Sequence, residues 1–301
     1  MNHDESSFLS AFAPDIDTLY CTKEGDRLAA NDKPNSTVLT YRSNDKIHWS
    51  RIKPSVGWTA VGMASFVDAA MGVVVFAVSS RGKIMQFGLS AEQAIITSIP
   101  NVGSSIRTAR TIGDTAWIIG MGRRAFKRLT NGVWVDDSPQ VMPNDVKTII
   151  GFEDVDGFTS DDIYAVGWRG EIWHKSSVKW KRLDSPTSRN LNAVCCADDG
   201  NVYAVGAKGS FLVGRDDLWR RVDNNIMSNI MDVTYFGGCI FVCTDYAIFK
   251  FQNGELIPED RFEDDRRPAT CLHLIRTAGG VFSVGPKDVF RFQAGVWKQV
   301  V

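Results

Sequence analysis

The residues able to do chemistry in this chain are few and scattered. Its six cysteines are Cys21, Cys195, Cys196, Cys239, Cys243 and Cys271, and its four histidines are His3, His48, His174 and His273. Cys239 and Cys243 would turn both sulfurs to one face of a strand. With Cys271 and His273 they are the set from which a zinc site could be built. Zinc ligands come as tight, turn-borne pairs, and the sequence has no CxxC motif, so the expectation is small buried hydrophobes and no metal. A sialidase-like glycosidase needs an arginine cluster, a tyrosine nucleophile and paired acids. Arginines are plentiful, but Tyr20, Tyr41, Tyr235 and Tyr246 carry no motif, while Tyr164 and Tyr203 sit in a repeat. There is no GxSxG elbow and no HExxH. Gly120-Met-Gly122 and Gly206-Ala-Lys-Gly209 are not phosphate loops, because no Lys-Ser/Thr and no helix follow. The reading is no catalytic residue and no cofactor.

These residues are set in a chain that repeats itself, and repeats decide the fold. Asp162-Ile-Tyr-Ala-Val-Gly167-Trp-Arg-Gly170-Glu-Ile172 leads to Trp180-Lys-Arg-Leu183. Asn201-Val-Tyr-Ala-Val-Gly206-Ala-Lys-Gly209-Ser-Phe211 leads to Trp219-Arg-Arg-Val222, each landmark 39 residues on. Weaker copies end at Trp134 and Trp297, and one carries Leu256 in the Trp place. Val75-Phe-Ala-Val-Ser79 keeps the middle of the frame, and the poorest copy runs from Thr37–Tyr41 to His48-Trp49. Seven copies share the chain at about 43 residues each, and each reads as four short strands broken by Gly, Asp and Asn. This is the signature of a propeller blade. The fold expected is all-β, a seven-bladed β-propeller of four-stranded antiparallel blades. Six blades are the alternative, because residues 15–53 fit poorly. The blades are placed near 15–53, 56–100, 102–138, 148–185, 189–224, 228–265 and 268–301, as a single domain after an N-terminal tail at 1–14. The connection Asp136 to Phe158 stands outside the repeat. The glycine after the second strand is expected to supply positive φ or close approach, and the repeat Trp to seal the seam between blades.

The frame Val/Ile-Tyr-Ala-Val-Gly-x-x-Gly-x-Ile, then Trp, resembles the repeats of bacterial propellers of the BNR/Asp-box, YCF48-like group. Residues 162–183 and 201–222 carry it best, and Ser43-Asn-Asp45-Lys-Ile-His-Trp49 is similar to a shortened Asp-box. The resemblance implies a propeller and no particular activity, since that architecture hosts enzymes and binding modules alike.

One surface pattern stands out. The turns between second and third strands align as Lys33, Arg81, Arg123, Arg169, Lys208, Asp245 and Lys287. Placed round a ring they make a cationic crown, with Arg124 beside it, on a chain whose net charge is −1. Such a crown steers an acidic protein partner. Trp168, beside Arg169 and outside the repeat Trp position, completes a hot-spot composition. The near-neutral balance argues against nucleic acid. No uncharged apolar run reaches about 18 residues, which argues against a membrane span, and the acidic start argues against a secretory signal. The expectation is a cytoplasmic, non-enzymatic binding module, monomeric when unbound. Its sharpest form is a bacterial immunity protein that binds a cognate toxin. A carbohydrate-binding or sialidase-like propeller and a YCF48-like assembly factor are the alternatives.

Overall fold

The computed structural model describes residues 5–43, 48–140, 150–177 and 179–301. They form seven sheets of four antiparallel strands, each sheet contiguous in sequence. The inner strands are Ser6–Asp15, Ala60–Asp68, Ile106–Ile112, Phe152–Thr159, Leu191–Cys196, Asp232–Phe236 and His273–Thr277. Each packs beside the next, and the seventh returns to the first. The chain is a seven-bladed β-propeller. Its upper face is the one carrying the second-to-third-strand turns and the connections between blades.

The outer-strand tryptophans of blades 3, 4, 5 and 7 seal their seams by one rule: each reaches back to the preceding blade. Trp134 meets Phe76 at 5.7 Å, Trp180 meets Trp117 at 6.3 Å, Trp219 meets Tyr164 at 6.2 Å and Trp297 meets Phe241 at 5.9 Å between ring centroids. Leu256, in the Trp place of blade 6, joins the cluster containing Tyr203 of blade 5. Edge-on and tilted aromatic contacts of this kind add about 0.5–1.5 kcal/mol each beyond the area they bury.

Blade 1 departs from the sequence reading. Ser6–Asp15, expected in a tail over 1–14, is its inner strand, while Thr37–Tyr41, after the Lys33 turn, lies in its third strand. Two register shifts, between Phe8 and Ser10 and between Phe12 and Asp15, break the alternation by which a strand is recognised. Phe152–Thr159, within the 148–185 placed for blade 4 but overlapping the connection drawn to Phe158, is that blade's inner strand. His3 and the Asn44–Ile47 portion of the Asp-box resemblance lie outside the described residues.

Because every blade is contiguous, no strand is exchanged to close the ring. Among the described residues, the last seam is held by side chains and one backbone bond. Phe8 N–H donates to the Pro286 carbonyl at 2.9 Å, and Lys287 ion-pairs with Asp26. Arg291 Nη1 donates to Ser43 Oγ at 2.9 Å. Phe8, Leu19 and Tyr41 pack with Phe282, Val284 and Val289.

Candidate functional site

The turns of blades 4 and 5 show why the repeat needs two glycines. Gly167 and Gly206 have φ of −177° and 178°, ordinary extended backbone. A Cβ on them would lie 1.9 Å from the Gly151 carbonyl oxygen and 2.1 Å from that of Asn190, so close approach is their function. Next come Trp168 and Ala207, then Arg169 and Lys208 in the left-handed region, at φ 59° and 52°. Gly170 and Gly209 follow, also left-handed, pressed on the carbonyls of Thr187 and Ile226. Side chains from the next connection clamp the basic residue. Arg169 N–H donates to Asn190 Oδ1 at 2.9 Å, and Lys208 N–H to Asn229 Oδ1 at 3.1 Å. The result is a cation on a fixed backbone, which reduces the ordering cost of binding.

The crown is sparser than its alignment suggested. Arg169, Lys208 and Arg81 are exposed, and among the described residues no carboxylate lies within ion-pair distance of them. Lys33 and Asp245 are exposed in their turns as well. Lys287 is exposed but engaged with Asp26 across the closing seam. Arg124 is half-buried, pairs with Asp136 at 2.8 Å and lies over the Phe126 ring at 5.1 Å.

Arg123 is not on the surface. It is 3% exposed, and its Nε and Nη2 each donate to the Glu171 carboxylate at 2.7 Å. Strand pairing gives the reason: Gly120 opposes Arg124 as Gly206 opposes Ser210. Arg123 therefore stands in the place of the buried Gly170 and Gly209, and Gly122 stands in the place of Arg169. Burial works to raise the Glu171 pKa, but hydrogen bonds from Arg123 and the Trp173 indole hold it below the usual carboxylate value.

Trp168 sits where the turn meets the central channel. It is half-buried, and its indole N–H donates to Glu153 Oε1, while Arg107 Nε donates to Glu153 Oε2 at 2.9 Å. Glu153 thus braces an indole and an exposed guanidinium at the channel mouth. Trp58, likewise outside the repeat Trp position, is a core residue between blades 1 and 2.

The channel itself is a cavity of about 710 Å³ lined by all seven inner strands. Its polar residues stitch the blades together. Asp154 Oδ2 accepts Arg110 Nη2 at 2.7 Å and the Val194 N–H at 3.0 Å, and Asp156 Oδ2 accepts the Cys196 N–H at 2.8 Å. Asn192 donates to the Ile230 carbonyl at 2.9 Å, and Asp232 Oδ2 accepts the Leu274 N–H at 2.8 Å. His273 Nε2 bonds the Leu9 carbonyl at 2.9 Å, and burial pushes its pKa down, so the neutral ring donates. The sequence reading missed these residues. Their signal is a polar residue inside an otherwise apolar inner strand. The cysteines, by contrast, lie in core clusters, and burial pushes their thiols up.

One arginine serves three channel carboxylates, and Asp232 records the imbalance. Burial pushes its pKa up to about 7, with Arg110 opposing and Asp154 reinforcing. An unfolded Asp titrates near about 3.9, so between these values the folded state holds the extra proton. This contribution to stability is complete below about pH 4 and is lost as pH rises through about 7. Thermal melts of Asp232→Asn should therefore gain on the parent protein from pH 5 to pH 8. A Tm difference that stays constant over that range would show that Asp232 does not titrate there.

No family model matches the chain. It is similar to the immune protein Tsi7 of Pseudomonas aeruginosa, with 29% identity over 263 residues, 85% of this chain and 82% of that protein. Among solved structures it is similar to the WD40 propeller domain of Doa1, with TM-score 0.73, 11% identity, and coverage of 97% of this chain and 93% of that one. It is similar too to YCF48 bound to D1 peptide, with TM-score 0.68, 13% identity, and coverage of 96% and 92%. The structural likeness is one of fold and spans WD40 and YCF48 propellers alike. The chain is a seven-bladed β-propeller, an architecture suited to protein binding, and its similarity to an immune protein supports an immunity protein.

Proposed function

We propose that this protein is a non-enzymatic immunity protein that neutralises a cognate toxin by direct binding through its upper face. The observation that carries this reading is the set of exposed cations on clamped turns, Arg169 and Lys208, beside the braced Trp168. Cations without carboxylate neighbours suit an acidic contact surface, and a half-buried Trp beside Arg is a hot-spot composition. The similarity to an immune protein supplies the kind of partner. The protein works in the cytoplasm, monomeric until it meets the toxin. No helix among the described residues is long and apolar enough to cross a membrane.

The test is toxin affinity, measured by surface plasmon resonance, for a variant carrying Trp168→Ala, Arg169→Glu and Lys208→Glu. Reversing two rim charges and removing the indole should weaken binding about 100-fold or more, chiefly through association rate and salt dependence for the charges. Arg169 and Lys208 are exposed, so their reversal alone should change stability by less than about 0.5 kcal/mol. Full affinity in the triple variant would move the contact to another face.

A further inference from the structure

A second indentation lies on the upper face, at the seam of blades 2 and 3. It has a volume of about 650 Å³ and is lined by Ser80, Arg81, Asn101 and Ser105, with Ile99 and Val102 at its floor. Both of its walls are fixed. Ile106 N–H donates to the Ser80 carbonyl at 2.8 Å, and Ile99 N–H donates to the Gly82 carbonyl at 2.9 Å. Asn101 and Gly103 hold left-handed backbone, at φ 53° and 71°, which shapes the loop without a helix or strand. Arg81 is exposed at the rim with its N–H on Ser79 Oγ, and among the described residues no carboxylate neutralises it. Arg124 points at the same loop, its Nη2 lying 3.4 Å from the Asn101 carbonyl.

From these residues we infer an anchor pocket for a carboxylate side chain carried on an extended acidic segment of the partner protein. Arg81 shares this lining with Ser80 and Ser105, so one pocket holds a charged donor and two hydroxyl-bearing residues, a composition suited to carboxylate recognition. The pocket is not isolated. Ser105 lines it and Arg107 lines the channel mouth, two residues and roughly 7 Å further along the chain. Arg107 meets Trp168 through Glu153. An extended segment crossing from blade 2 to blade 4 would run from Arg81 past the Arg107–Glu153 pair to Arg169, with Trp168 as its apolar stop. Acidic residues near its two ends would face Arg81 and Arg169, unpaired among the described residues. The buried Arg123 explains why the track skips the turn of blade 3.

This inference rests on the upper face being the binding face, and it can fail separately. The experiment is fluorescence anisotropy with labelled hexaglutamate at low and high salt, and with a labelled single-stranded oligonucleotide of equal charge. The expected result is saturable, salt-sensitive peptide binding, weakened at least about fivefold by Arg81→Ala and abolished by Ser105→Asp. Arg220→Ala, on the outer strand of blade 5, should leave it unchanged. Equal loss in all three variants, or no binding of the peptide, would overturn the pocket. Preference for the oligonucleotide at the same residues would overturn the assignment to a protein segment. Should the toxin itself bind Arg81→Ala and the parent protein equally well, the pocket fails while the immunity reading stands.

Discussion

Replacing Arg123 by alanine is expected to destabilise the protein by about 3–5 kcal/mol, the cost of stranding one partner of a buried ion pair. Glu171 is left behind at 2% exposure, with the Trp173 indole at 3.0 Å and the more distant Arg182 at 3.6 Å as its remaining partners. Arg123→Lys should fall between parent and alanine, because a point charge cannot match both carboxylate oxygens at once. The pH dependence follows from the depressed Glu171 pKa. The stabilisation from this carboxylate is present above its unfolded value and is lost as pH falls through the lower folded one. The penalty for Arg123→Ala should therefore shrink in acid. Urea denaturation at neutral and acidic pH measures both effects. A loss under about 1 kcal/mol at pH 7 would mean that Arg123 behaves as an ordinary surface turn residue.

A second large effect is expected at the repeat glycines. Gly206→Ala places a methyl group 2.1 Å from the Asn190 carbonyl oxygen, 2.7 Å from Leu191 Cα and 2.9 Å from the Asn190 carbonyl carbon. All three atoms are backbone, so no rotamer change relieves the contact, and the inner strand of blade 5 must move. Overpacking of this kind costs about 1–3 kcal/mol or more. The cost should recur in Gly167→Ala and Gly120→Ala, whose Cβ atoms would meet the carbonyl oxygens of Gly151 and Ser105. The informative control is Gly254→Ala, at a lower-face turn where no atom lies within 4 Å of the added carbon. That residue has φ 86°, so its cost is backbone strain alone. Calorimetric melts that rank Gly254→Ala as the worst of the four would contradict the close-approach account.

These two sites also show what a reader of the sequence can and cannot extract. Gly167, Gly206, Trp180 and Trp219 betray the architecture because each meets a demand that recurs in several blades: a strand passing within contact of a turn, and a seam to be filled. Blade 1 hides because its inner strand carries two bulges and because a ten-residue interval, 26–35, with its own helical turn at Asp26–Ala29, separates its second and third strands. Aligning turns by residue type put Arg123 on the surface. Aligning them by strand register puts it inside, one place further along, and register is visible only once the pairing is known. Arg81, Arg169 and Lys208 were legible because each precedes the glycine that ends its turn, Gly82, Gly170 and Gly209. The channel stitches at Asp154, Asn192 and Asp232 were illegible for a different reason. A polar residue in a short apolar strand reads as solvent-facing until the neighbouring strand's free N–H or C=O is seen to meet it.

The central claim is that this propeller acts by holding one toxic protein. The most direct measurement is affinity capture on the tagged protein from the organism that makes it, at low and high salt. Each captured partner is then expressed alone and together with the propeller. The account predicts one stoichiometric protein, released by high salt, that arrests growth alone and is harmless in company. A partner that is harmless alone, or whose toxicity persists when the propeller binds it, would contradict the account.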